Sequence, residues 1–196
     1  MKGEAALKAI ALAAERPRWL SAAALLGAVA FFAVCTAAGA QMRLRLPFSP
    51  VPVTAQTFMV LVSGALLGRR LGPLSQVLYG ALALAWPGAI AGPVHATTGY
   101  LVGFVVAAYA VGLLVGERPS FGRAVGAMAV GSLVIYLLGA AWLAGVTGNL
   151  RVAVLQGVVP FLPGDLLKVL AAAGVAAVGG RGRREPSAPL EGRTIE

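Results

Sequence analysis

Six stretches of this chain run for about the length of a membrane crossing with almost no charge inside them. That feature leaves few folds open. A helix needs about 17–25 mostly apolar residues to cross about 30 Å of hydrocarbon. Inside lipid only helices or closed barrels satisfy the backbone hydrogen bonds. Period-two alternation is absent and Ala, Leu and Gly dominate, so the sequence predicts helices. Of the 196 residues, 59% are hydrophobic and 12% charged, with mean hydropathy +0.84. A soluble domain averages about 45–50% apolar and about 25% charged.

Gly, Pro and loop charges place the expected spans near 19–40, 53–68, 71–91, 96–116, 122–145 and 164–179, the last with an alternative start near Val152. The expected architecture is an all-α integral membrane protein, with a cytoplasmic segment at 1–18, a six-helix domain at 19–180 and a disordered cytoplasmic tail at 181–196. Glu4 and Glu15, without a cleavage pattern, argue against a signal or transit peptide in the N-terminal segment.

Direction comes from the cations. Twelve Lys and Arg fall in the N-terminal segment, the tail and the alternate connections carrying Arg69, Arg70, Arg118 and Arg123. The other side holds three, Arg43, Arg45 and Arg151, and Lys168 lies within a span. Basic connections stay in the cytoplasm, so both termini are expected inside. The net charge of +9 then reflects topology rather than nucleic-acid binding.

Several activities lack the residues they need. One Cys (Cys35) allows no internal disulfide, and one His (His95) allows no histidine metal cluster. Asp165 is the single carboxylate within a span, so a paired-carboxylate mechanism has no partner for it. Ser132, after Gly131, resembles a fragment of an intramembrane hydrolase, but the one His is expected in a loop. No G-x-x-x-x-G-K-[ST] phosphate loop occurs. Six spans without clear duplication are few for a self-sufficient carrier built from paired repeats.

The run Pro160-Phe-Leu-Pro-Gly-Asp165-Leu-Leu-Lys168 is the sharpest internal feature. Its prolines predict an extended approach to a helix. Asp165 then falls in the first turn and Lys168 at i+3 on the same face. The pair either caps the sixth helix or forms the polar floor of an outward-facing pocket. Leu46-Pro-Phe-Ser-Pro-Val-Pro-Val-Thr-Ala-Gln56 predicts a stiff extended strap, either a linker or a lid. Ala91-Gly-Pro-Val-His-Ala-Thr-Thr-Gly-Tyr100 offers hydroxyls and a close-approach Gly99. Small residues four apart recur at Ala24/Ala28, Ala33/Ala37, Gly99/Gly103, Gly112/Gly116 and Gly122/Gly126, a spacing that lets helices approach closely.

The proline strap, with Ser63-Gly-Ala-Leu-Leu-Gly-Arg-Arg-Leu-Gly72, resembles the BioY family, the biotin-specific substrate-binding (S) components of energy-coupling factor (ECF) transporters. Thr98-Gly-Tyr-Leu-Val-Gly-Phe104 and 160–168 are similar to two further family signatures, in order, and the resemblance covers about residues 20–178. It implies a six-helix S-component bundle that captures biotin at the outer surface of a prokaryotic cell membrane, without a cofactor or catalysis. Its implied partners are a transmembrane coupling protein and two ATPase subunits, with Ala24 and Ala28 facing the coupling protein. The resemblance also puts Asp165 and Lys168 on the ureido ring of biotin, with Tyr100, Thr97 and Gln56 nearby. The family's longer Gly-rich connection before the fourth helix is replaced here by His95-Ala-Thr-Thr-Gly-Tyr100, with no Arg. The partner of the biotin carboxylate is therefore open among His95, Arg43, Arg45 and water. Alternatives are an S component or stand-alone carrier for another vitamin-like solute, and an intramembrane enzyme or assembly protein.

Overall fold

The computed structural model describes residues 18–86, 89, 91–116 and 119–181. The segment before Arg18 and the tail after Arg181 lie outside them. Five α-helical segments and a short sixth follow in order: α1 (Arg18–Gln41), α2 (Gln56–Ala85), α3 (Val94–Leu114), α4 (Phe121–Thr147), α5 (Leu150–Gly157) and α6 (Leu162–Arg181). A 3-10 turn at Val159–Phe161 joins the last two.

α2 unites the second and third expected spans, yet it is not straight. Gly68 has φ 77° and ψ −176°, backbone that breaks a helix and suits glycine. In a continuous helix Gln56 and Tyr79 would lie about 35 Å apart at 1.5 Å per residue. Instead the Gln56 side-chain amide donates to the Tyr79 hydroxyl at 2.5 Å, and Gln76 Nε2 to Ser63 Oγ at 3.0 Å. A Cβ on Gly72 would lie 2.9 Å from the Gly64 Cα. The two limbs are thus an antiparallel hairpin with Gly68 at its tip. At the same rise, limb 56–67 is about 18 Å long and limb 69–85 about 26 Å, both short of the hydrocarbon thickness. Among the described residues, helical stretches long and apolar enough to cross a membrane number four: Ala22–Gln41, Val94–Leu114, Phe121–Thr147 and Leu150–Gly179.

Helix contacts follow the small residues. A Cβ on Gly64 would lie 2.6 Å from the Ala108 carbonyl, one on Gly99 2.2 Å from the Trp142 Cβ, and one on Gly103 3.1 Å from the Ile135 Cα. Between lipid-facing helices such close approach supplies the dispersion that a hydrophobic drive cannot. Gly122 and Gly126 meet nothing within 4 Å among the described residues and take no part in this packing. Large apolar side chains such as Leu26, Phe31, Leu137, Leu167 and Val178 stay exposed around the bundle, as lipid contact allows and water does not. Where α1 meets the two limbs of α2, Gln76 Nε2 faces the hydroxyls of Ser63, Ser75 and Thr36, while its Oε1 is buried without a hydrogen-bond partner among the described residues.

Three local expectations are corrected. The proline strap is not extended: Arg43 pairs with Thr54 and Leu44 with Val53 in an antiparallel ribbon, so the chain doubles back through Pro47 and Pro50. Among the described residues the fold is therefore all-α apart from one ribbon of two-residue strands. Pro160 and Pro163 do not make an extended approach either. They sit in the 3-10 turn and the first turn of α6, where a missing N–H costs nothing. His95 lies in the first turn of α3, not in a loop.

Candidate functional site

One end of the bundle gathers the ribbon, the segment from Ala91 to Thr97, the α5–α6 turn and the middle of α4 around a cavity. It encloses about 540 Å³, counting the solvent at its mouth. Phe104, Ile135, Phe161, Leu101 and Val51 supply apolar wall, and Asp165 and Lys168 the charge.

Asp165 occupies the first turn of α6, where the helix dipole favours a carboxylate. It is 5% exposed, so its charge must be met by the protein. Oδ1 accepts from Lys168 Nζ at 2.5 Å and from Thr57 Oγ1 at 3.1 Å, and Oδ2 accepts from the Tyr136 hydroxyl at 2.6 Å. Lys168 also donates to the Thr54 carbonyl at 2.7 Å. A carboxylate has about four acceptor positions and an ammonium three donors. After these bonds an acceptor position remains on Oδ2 and one donor on Lys168, side by side in an apolar wall. That arrangement suits a neutral polar group carrying both an N–H and a carbonyl.

The remaining polar side chains form a second line. Gln56 donates to Tyr79, which donates to the Ala89 carbonyl at 3.1 Å, and Gln56 Oε1 accepts from Thr54 Oγ1 at 3.2 Å. Tyr100 donates to the Gly157 carbonyl at 2.7 Å, and Thr97 to the Pro93 carbonyl at 2.9 Å. Tyr100 fits because two helices lack side chains beside it: a Cβ on Gly139 would lie 2.3 Å from its ring and one on Gly157 2.3 Å from its hydroxyl. Gly92 is wedged likewise, its Cβ position 2.9 Å from Pro52 and 3.1 Å from Thr97.

Of the residues singled out in the sequence, Asp165, Lys168, Tyr100, Thr97 and Gln56 line this cavity. His95 does not: its side chain is exposed, and only its carbonyl is engaged, by Trp142 Nε1 at 2.8 Å. Arg43 and Arg45 line an adjoining cleft on the ribbon. Ala24 and Ala28 are remote, on the outer side of α1, the first exposed and the second half-buried. Ser132 is buried and has no hydrogen-bond partner among the described residues. Sequence reasoning missed Tyr136, Thr57 and Tyr79. Tyr136 was open to detection, since a tyrosine inside an apolar run must find a partner for its hydroxyl. No cluster of three His, Cys, Asp or Glu that could hold a metal occurs among the described residues.

Comparison with known proteins agrees along nearly the whole bundle. The profile described as BioY family matches residues 13–184. The chain is 37% identical over 155 residues to the Probable biotin transporter BioY of Pyrococcus horikoshii, covering 76% of this chain and 91% of that one. It is 36% identical over 140 residues to the Biotin transporter BioY of Thermotoga maritima, covering 68% and 83%. It is 31% identical to that of Rhizobium etli, covering 73% and 85%. Among solved structures it resembles the S-component for biotin from an ECF-type ABC transporter, with TM-score 0.70 and 21% identity over 85% of this chain and 94% of the other. That likeness establishes the fold.

Proposed function

The chain belongs to the BioY family, and from that membership and the geometry of its cavity we propose that it captures biotin for uptake, as the substrate-binding subunit of an ECF-type transporter. One observation carries the reading. The buried Asp165–Lys168 pair leaves an acceptor and a donor adjacent within an apolar cavity. The ureido ring of biotin presents N–H groups and a carbonyl to match them, and the fused ring's hydrocarbon and sulfur meet Phe104, Ile135 and Phe161.

Counting each limb of α2 as a crossing gives six, and the charges assign their direction. Arg69, Arg70 and Arg123 fall at the end opposite the cavity, where Gly112 abuts Gly68 and Arg123 Nε donates to the Leu114 carbonyl. With basic ends cytoplasmic, both termini lie inside and the cavity opens outward, across the cell membrane of a prokaryote. The energy comes from other chains: a transmembrane coupling protein and two ATPase subunits. Their contact is α1, where Gly27 meets nothing within 4 Å among the described residues and Ala24 is exposed. Neither a cofactor nor nucleic acid has a part in this function.

Equilibrium binding of biotin to detergent-solubilised protein tests the proposal, with desthiobiotin and other vitamins as competitors. Saturable binding that unrelated vitamins do not displace supports it. Folded protein that ignores biotin but retains another vitamin would assign the cavity to that solute instead.

A further inference from the structure

A second cleft adjoins the cavity on the outer side of the ribbon, and its wall carries Arg43 and Arg45. The two depressions share Pro52 and Ala91 in their linings, so they lie on either side of the same two residues. Both arginines line the second cleft, Arg43 from the ribbon and Arg45 from the residue just beyond the two-residue strand. Arg43 is the register partner of Thr54, whose carbonyl holds Lys168 in the cavity. Arg43 NH1 also donates to the Ala91 carbonyl at 3.3 Å, which fixes the ribbon against the shared wall. Arg45 lies at the exposed edge of the cleft. On the side expected to face outward, the chain's cations are Arg43, Arg45 and Arg151, and two of these three stand on this cleft.

We infer that this cleft is the anion subsite of the cavity, in which Arg45 receives the terminal carboxylate of an elongated ligand whose neutral polar head lies at Asp165, while Arg43 holds the cleft in shape. The inference rests on the biotin reading. Biotin has the required form, a fused ring with a flexible acid chain. The two residues shared by the depressions, Pro52 and Ala91, carry no charge of their own, and the guanidinium bonded at that wall is the one of Arg43. Guanidinium recognises carboxylate through a planar fork of donors. At an exposed site the attraction is modest and weakened by salt. The subsite therefore contributes selectivity for the free acid over neutral derivatives rather than most of the affinity.

The test compares biotin with biotinamide, in which the carboxylate is replaced by a neutral amide, by equilibrium binding to the purified full chain at low salt. Wild-type protein is expected to prefer biotin. Arg45→Gln should weaken biotin roughly two- to fivefold and leave biotinamide unchanged. Arg45→Lys should retain part of the preference, and raising the salt should erode it in the wild type but not in R45Q. Equal losses for both ligands in R45Q would make Arg45 a shape determinant and overturn the inference, as would an unchanged preference for the acid. Both of those results would leave biotin binding itself standing. Folded wild-type protein that binds neither ligand would remove the biotin reading and the subsite with it.

Discussion

Lys168 Nζ donates at 2.7 Å to the backbone carbonyl of Thr54, a bond spanning 114 positions of sequence. One ammonium thereby ties the last helix to the ribbon and stands beside the carboxylate of Asp165. Ribbon position and pocket charge are consequently not independent: a change at either end of this bond is felt at the other.

Replacing Lys168 by Ala should weaken biotin binding by about ten- to a hundredfold, the range of one hydrogen bond to a charged group. It should also loosen the ribbon, since the Thr54 carbonyl loses its donor. Calorimetry reads the first effect and limited proteolysis near Pro47–Ser49 the second. Full affinity in K168A would remove Lys168 from the site.

Tyr136→Phe deletes the donor to Asp165 Oδ2 while keeping the ring. The carboxylate loses one of its three protein partners, so its orientation toward ligand is less well held. A loss of about three- to twentyfold in biotin affinity is expected, with thermal stability in detergent changed by about 1 kcal/mol or less, as for other hydrogen bonds between membrane helices. Affinity equal to wild type would mean that Lys168 and Thr57 position the carboxylate unaided.

Gly139→Ala places a methyl group 2.3 Å from the Tyr100 ring, a position the ring must vacate. Overpacking of this kind costs about 1–3 kcal/mol, and the displaced ring lines the cavity. Both the unfolding temperature and biotin affinity should fall. Gly126→Ala, with nothing within 4 Å among the described residues, should leave affinity unchanged without lowering the unfolding temperature, and serves as the control.

His95→Ala should leave biotin affinity within about twofold of wild type. The imidazole is exposed and the bond to Trp142 uses the backbone carbonyl, which alanine retains. A larger loss would place the imidazole in ligand contact and redraw the mouth of the site.

How much of this was legible in advance differs by residue. Asp165 and Lys168 were visible because charge inside an apolar span is costly, about 2.5–3.5 kcal/mol at the membrane centre, and their i, i+3 spacing puts them together on any helix. Tyr100 and Gln56 were legible through the family's motifs. Tyr136 was legible only as a hydroxyl in an apolar run that needs a partner; that the partner is Asp165, and that Thr57 joins it, depends on α4 and α2 converging on α6, which no local spacing encodes. His95 drew attention for its chemistry alone, and the first turn of α3 points it elsewhere.

The sequence by itself determined the helical class and the apolar lengths. It also determined the asymmetry of cations and the placing of the buried pair in one helical turn. These follow from the hydrocarbon's thickness, its intolerance of unpaired backbone and the helix period, all local or additive properties. Only the tertiary structure decided that the chain reverses at Gly68 and that the proline strap folds into a ribbon. It alone closed Thr54, Thr57, Tyr136, Asp165 and Lys168 into one network. Each of those depends on contacts between segments far apart in sequence, and such contacts are settled by which small residues let which helices approach.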